Sequence, residues 1–229
     1  MSVVVKVGGV SLENAGKAVE RIQEVRGSSR VIVHGGGVQI SRMMERMKIE
    51  PRFVEGLRVT DEKALQAVTA ALLGEVHTAL IAALHKTGIR AVGLFGVISA
   101  SKREGPWGLV GTNIQVNVPA LSAVIEAGDT PVIATLAIGG DSLLNVNGDE
   151  TAAAIAVALK ASDLVFLTDV EGVKDGAGNV MERGPSPALL LKSAFVSGGM
   201  LPKLRAVQTA LDGGVANVRV GRTVFAGAS

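Results

Sequence analysis

Runs of β-branched residues alternate with helix-patterned stretches along nearly the whole chain, and that alternation most constrains its fold. Valine- and isoleucine-rich runs predict strands near 3–7, 30–34, 91–95, 131–135, 164–168 and 217–220. Helical spacing predicts helices near 12–26, 38–48, 62–86, 119–127, 150–161 and 200–213. Parallel strands joined by helices bury both sheet faces, so the order predicts an α/β chain with a mainly parallel sheet covered on both sides. The helix after Asp61 carries Leu65, Val68, Leu72, Val76, Leu80 and Leu84 along one face, with Thr60 or Asp61 as its cap. Residues 96–116 read as a hairpin or lid. There is no internal repeat or low-complexity linker. One domain over 1–229 is expected, with lobes of about 1–148 and 149–229.

Composition excludes several classes. With 48% apolar residues the chain is no disordered segment. Zero cysteines exclude disulfides and thiolate chemistry, which suits the cytoplasm. The N-terminus is a poor signal peptide, and no apolar run is expected to cross a membrane. A net charge of +2 with 3% aromatics gives no support for nucleic-acid binding and suits a small anionic substrate.

Six segments carry chemistry. Lys6 interrupts the valine run 3–7 just before Gly8-Gly9. A buried lysine needs an anion, and bare glycine amides suit a phosphate; a snorkelling edge lysine is the structural alternative. His34-Gly35-Gly36-Gly37 joins a strand to a helix N-terminus, where unpaired N–H groups and the dipole favour an anion. It matches neither a Walker A loop nor GxGxxG. Arg58 is the carboxylate fork of the loop 53–61, or a solvated surface arginine. Asn145, Asn147 and Asp149 can project to one side of an extended segment, with Asp149 also placed to cap the next helix. The strand 164–168 ends in Thr168-Asp169, where open α/β sheets gather ligands, or where an ordinary turn follows. Ser197-Gly198-Gly199 opens a helix whose Lys203 works against the dipole, which motivates an anionic ligand. His34, His77 and His85 lack metal-ligand spacing, and His77 and His85 read as surface or packing residues.

Taken in order, KVGG at 6–9, VIVHGGG at 31–37, GLRVTD at 56–61, AVGLF at 91–95, LLNVNGDETAAAIA at 143–156, LTDVEGV at 167–173 and SGGMLPK at 197–203 resemble the amino acid kinase family. The likeness is strongest to members that phosphorylate N-acetyl-L-glutamate in arginine biosynthesis. The resemblance implies a three-layer αβα sandwich around a mainly parallel sheet. It implies ATP with Mg²⁺, the metal held mainly by phosphates and water, and no protein metal site. Lys6, Asp149, Lys203, Gly9 and Gly36 would be catalytic. Gly36, Gly37, Arg58, Asn145 and Asn147 would bind the amino-acid substrate on the N-lobe. Thr168, Asp169, Val170, Gly172, Val173, Lys174, Phe195, Val196, Ser197 and Met200 would seat the nucleotide on the C-lobe.

The chain departs from that pattern in three places. Phe95-Gly96-Val97-Ile98-Ser99 replaces a Gly-Asp-Gly-type loop expected to border the amino-acid pocket. Gly148 stands where alanine is commoner, as in relatives acting on carrier-protein-linked glutamate or aminoadipate. The abbreviated C-terminus implies a lost last strand pairing. A carrier-linked kinase is the second reading; the uninterrupted GLRVTD segment speaks against it. A non-catalytic nucleotide sensor and a nicotinamide oxidoreductase are weaker readings, set against Lys6, Asp149 and Lys203 together and against the missing GxGxxG. Met1 and Ser2 run straight into the first strand, without the extra N-terminal helix of arginine-inhibited hexameric relatives, so the resemblance implies an arginine-insensitive homodimer. Its interface is expected on the helix after Asp61, with Ala67, Ala70, Ala71 and Gly74 allowing close approach and Leu65, Val68 and Leu72 supplying apolar area.

Overall fold

The computed structural model describes residues 2–12, 14–27 and 29–227. The first part of the chain gives β1 (Ser2–Val7), a 3₁₀ turn (Gly9–Leu12), α1 (Ala15–Glu24), β2 (Ser29–His34) and α2 (Gly37–Arg46). Next come β3 (Phe53–Val54), β4 (Leu57–Arg58), α3 (Glu62–Thr69), a π-helical segment (Ala70–His77) and α4 (Thr78–Lys86). Then follow β5 (Ala91–Leu94), β6 (Ile98–Lys102), β7 (Gly111–Val116), α5 (Val118–Glu126), β8 (Thr130–Ala134), β9 (Leu136–Gly139) and β10 (Ser142–Asn145). The rest comprises α6 (Gly148–Ala158), β11 (Asp163–Leu167), α7 (Pro187–Leu190), α8 (Met200–Asp212), β12 (Asn217–Val220) and β13 (Thr223–Ala226). The expected helix at 12–26 is thus a turn followed by α1, and residue 13 lies outside the described residues.

Seven strands form the central sheet in the order β13–β12–β11–β1–β2–β8–β5. All neighbours are parallel except β12 and β13, which form an antiparallel hairpin. The C-terminal pairing expected to be lost is therefore present: Val218 faces Phe225, and both are buried. Alternation sorts the central strand. Val3, Val5 and Val7 pack against α1 and α4, whereas Val4 belongs to the cluster under α6 and α8. Lys6 shares the side of Val4, so it points toward α6. A smaller sheet, β10–β9–β6–β7, lies apart from the first, and β6–β7 is the hairpin read at 96–116.

α3, the π-helical segment and α4 run as one helix from Glu62 to Lys86, capped by Asp61, whose carboxylate accepts from Ala64 N at 2.8 Å. Its core side chains recur every four residues, at Val68, Leu72, Val76, Leu80 and Leu84. On an α-helix each such step overshoots a full turn by about 40°, so four steps would carry the stripe away from the sheet. The wider π turns absorb that drift. This helix is long and apolar enough by composition to cross a membrane, with mean hydropathy 1.7, but its inner face is buried in the core. The expected dimer surface needs correction. Ala67, Val68, Ala71 and Leu72 are fully buried against the protein's own core, which leaves Ala70 and Gly74 exposed and Leu65 half-buried.

Candidate active site

Lys6, Asp149 and Lys203 meet although they lie far apart in sequence. Lys6 Nζ is 2.9 Å from Asp149 Oδ1, and Lys203 Nζ donates to Asp149 Oδ2 at 2.8 Å. β1 delivers Lys6, the N-terminus of α6 delivers Asp149, and α8, packed on α6, delivers Lys203. Lys203 also lies over the Phe166 ring, 4.9 Å from its centroid. Capping falls differently from the sequence reading. Asn147, not Asp149, is the N-cap of α6, and its Oδ1 accepts from the backbone N–H groups of Asp149 and Glu150. Asp149 is thereby freed to hold the two ammonium groups.

All three side chains are nearly buried. Burial alone would raise the Asp149 pKa, but Lys6 and Lys203 together hold it below the usual aspartate value. Burial pushes the Lys203 ammonium below the usual lysine range; Asp149 opposes that shift and Lys6 adds to it. Within the cluster itself two ammonium groups meet one carboxylate, and the Asp169 carboxylate beside Gly9 also acts on Lys203. The paired ammonium groups suit an anion arriving at the end of β1.

The glycines crowd the same point. A Cβ on Gly8 would fall on Lys6 Nζ, and one on Gly148 would lie 3.1 Å from Lys6 Cε. Gly9 has φ +66, and a Cβ there would fall on the Asp169 carboxylate. A side chain at 8 would displace the Lys6 ammonium and one at 9 the Asp169 carboxylate, and at 9 the positive φ favours glycine as well. Gly36 is the N-cap of α2 and Gly37 its first residue, so their amides stand at a helix N-terminus. Gln39 Nε2 donates to Leu12 O at 2.9 Å, tying the turn after Gly8-Gly9 to this helix.

A cavity of about 480 Å³ opens here, lined among others by Lys6, Gly9, Gly36, Arg58, Asn145 and Gly199. Arg58 is buried, and its Nη2 donates to Ser41 Oγ at 2.9 Å and Gly37 O at 3.1 Å. Its guanidinium stacks 4.7 Å from the Phe53 centroid. Among the described residues no carboxylate pairs with it, and burial lowers its pKa. An anchored, unneutralised guanidinium facing a cavity has the chemistry to receive a carboxylate. Asn145 Nδ2 donates to Thr60 Oγ1 at 3.1 Å, which fixes the amide beside Arg58; the sequence reading passed over Thr60 in this role. Asn147 lines the cavity too, though its Oδ1 serves as the cap. The segment 95–99 does not line this cavity, contrary to expectation: Val97 and Ile98 point into the core while Phe95 is exposed.

Of the expected nucleotide seat, Thr168, Asp169 and Val170 line a second cavity of about 490 Å³ with Arg21, Gly221 and Arg222. Thr168 and Asp169 follow β11, and Asp169 abuts Gly9. Val173 and Val196 are core side chains, so only their backbone is available to a ligand. Val170, Lys174, Phe195 and Ser197 are exposed, and Phe195 flanks Gly176. Among the described residues no three acidic or histidine side chains cluster as metal ligands. With both Asp149 oxygens facing ammonium groups, the donor set fits a magnesium ion carried by phosphates and water.

A model of the amino acid kinase family matches residues 1–222. The chain belongs to the amino acid kinase family. Within that family it is 42% identical over 228 residues to the acetylglutamate kinase of Methanopyrus kandleri, covering 92% of this chain and 91% of the relative. It is 42% identical over 230 residues to the acetylglutamate kinase of Roseiflexus castenholzii, covering 96% and 88%. The solved structure of smu.665 from Streptococcus mutans superposes with a TM-score of 0.88 at 29% identity, covering 99% of each chain. The carbamate kinase of Giardia lamblia superposes with a TM-score of 0.69 at 12% identity over 99% and 98%, a likeness of fold. The three-layer sandwich read from the sequence is thus this family's fold, and the charged triad of this amino acid kinase sits at its central strand.

One feature of the site had no signal in the sequence. His34 and His77, 43 positions apart, are buried side by side with His34 Nε2 2.8 Å from His77 Nδ1. His85 instead pairs its Nε2 with Ala91 O at 2.9 Å.

Proposed function

We infer that this protein transfers the γ-phosphoryl group of ATP to the side-chain carboxylate of N-acetyl-L-glutamate, the kinase step of arginine biosynthesis. The observation that carries the reading is the Lys6–Asp149–Lys203 cluster between two glycine loops, with Arg58 beside it, in a chain this similar to acetylglutamate kinases. A carboxylate nucleophile is already ionised at neutral pH, so no general base is needed. One carboxylate oxygen forms a bond to Pγ, the bond from Pγ to the bridging oxygen breaks, and ADP leaves with that electron pair. The task is to bring two anions together and to stabilise the charge spread over the phosphoryl oxygens. Lys6 and Lys203 do this from two sides while Asp149 holds them apart and in place. The amides of Gly8, Gly9, Gly36 and Gly37 donate to the same oxygens.

Arg58 grips the substrate α-carboxylate and Asn145 its amide, on the N-lobe of about 1–148. Residues 168–174 and 195–200, on the C-lobe, hold the nucleotide, with the Phe195 ring offered to the base. Magnesium bound to the phosphates supplies further neutralisation of their charge. We place the protein in the cytoplasm, where a chain without cysteine is at no redox disadvantage. We propose a homodimer through the outer side of the Glu62–Lys86 helix, around Ala70 and Gly74. A monomer by light scattering at micromolar concentration refutes it.

The test of function is ADP release measured with N-acetylglutamate, free glutamate and aspartate. N-acetylglutamate should be the preferred acceptor. Turnover with none of the three, but with a carrier-linked glutamate, would replace this reading by the carrier-linked one.

A further inference from the structure

His34 closes β2 and is completely buried. Its Nδ1 lies 2.9 Å from Gly35 O, and a carbonyl oxygen only accepts, so Nδ1 carries the proton. Burial is the main cause holding the His34 pKa at about 4, which keeps the ring neutral and leaves Nε2 as an acceptor. His77 Nδ1, 2.8 Å away, is then the donor to that nitrogen. The proton order is fixed throughout: His77 Nδ1–H to His34 Nε2, and His34 Nδ1–H to Gly35 O. His77 ends the π-helical segment, whose wide turns place Val76 and His77 both inward. A Cβ on Gly93 would lie 2.5 Å from His77 Nε2, so glycine in β5 makes room for the ring.

The consequence falls on the next peptide. Gly35 is pinned at both ends, since its N–H donates to Val7 O at 3.1 Å. The Gly35–Gly36 peptide is trans, so its C=O and N–H point in opposite directions. Holding the oxygen toward His34 turns Gly36 N–H away from the histidines. Gly36 lines the cavity, and among the described residues no protein acceptor meets its N–H. A donor left open at a helix N-terminus, with its plane locked from behind, is arranged for an anion.

We propose that the His34–His77 pair is a positioning device for phosphoryl transfer: its fixed tautomer holds Gly35 O and so aims Gly36 N–H at the phosphoryl oxygens. This rests on the reading of the site given above. The device acts through orientation, so it affects the transition state more than either substrate's binding.

The test joins two measurements. ¹⁵N-histidine spectra contain three residues, assignable by single substitutions. His34 should be neutral and protonated on Nδ1 from pH 5 to 8. An Nε2–H tautomer or an imidazolium in that range overturns the proposal. In kinetics, His34→Leu should lower kcat about 10- to 100-fold, the scale of a misplaced catalytic geometry, with both KM values within about threefold. His34→Asn keeps a donor where Nδ1 stood and should recover most of that loss. If His34→Leu does not fold, His34→Asn against His34→Met carries the same comparison, since a thioether has no proton to donate. Equal kcat for donor and non-donor variants overturns the proposal. Wild-type turnover of N-acetylglutamate decides the reading of the site separately, so the two failures are distinguishable.

Discussion

Replacing Asp149 by asparagine keeps the shape of the site and removes the one charge that joins its two cations. The carboxylate lies 2.9 Å from one ammonium and 2.8 Å from the other, with little solvent at any of the three. Unit charges about 4 Å apart at an effective dielectric of about 20 interact by about 4 kcal/mol, and the desolvation of the buried charges offsets part of this. Removing one partner from a buried ion pair costs about 3–5 kcal/mol, because the remaining charge is left uncompensated. Here two ammonium groups are left facing each other. Against a total stability of about 5–15 kcal/mol the variant should still fold. Its melting temperature should drop by roughly 6–20 °C for a chain of this size. The deficit should depend on pH in a definite way. Asp149 has its folded pKa below the usual 3.8, so its contribution is present above that value and is lost as pH falls through the folded pKa. Lys203 has its folded pKa below the usual 10.5, so the folded protein sheds that proton first, and stability from this group rises with pH in that window. Without Asp149 its pKa is lowered further and the gain is larger. Urea titrations of both proteins at pH 3, 7 and 10 should therefore show the widest gap at pH 7. A variant within about 1 kcal/mol of wild type at pH 7, or a gap that grows toward pH 10, would refute the reasoning.

Two further substitutions separate chemistry from recognition. Lys203→Ala should lower kcat by roughly 10²-fold or more, the scale for losing one preorganised electrostatic contact; near-normal turnover would remove Lys203 from the transition state. Arg58→Lys should chiefly raise KM for the amino acid, because lysine cannot make the bidentate fork. A change in ATP affinity with none for the amino acid would show that Arg58 faces the wrong substrate.

The central sheet was legible because each of its inner strands is a compact run of β-branched residues next to a glycine or a helix start. The hairpin of β9 and β10 was not: β8 runs almost without break into β9, so one long apolar stretch hid two strands. Gly139-Gly140-Asp141, with Gly140 at φ +60, was the available turn signal. The π-helical segment was not read: the sequence reading gives an ordinary helix there, although a strict four-residue spacing from Val68 to Leu84 does not fit 3.6 residues per turn. The cationic triad could be guessed from three motifs, because a lysine in a valine strand and another at a helix start each demand an anion. Which residue of 145–149 caps α6 could not be read, since asparagine and aspartate both serve as caps. The His34–His77 contact is purely tertiary, and neither local sequence carries a trace of it.

The central claim is that the acceptor is a carboxylate and the product an acyl phosphate. Hydroxylamine trapping during turnover measures this directly, because acyl phosphates yield hydroxamates. Wild-type protein with ATP, magnesium and N-acetylglutamate should form hydroxamate in step with ADP, and Lys203→Ala should lower both together. ADP release without any hydroxamate would contradict the account.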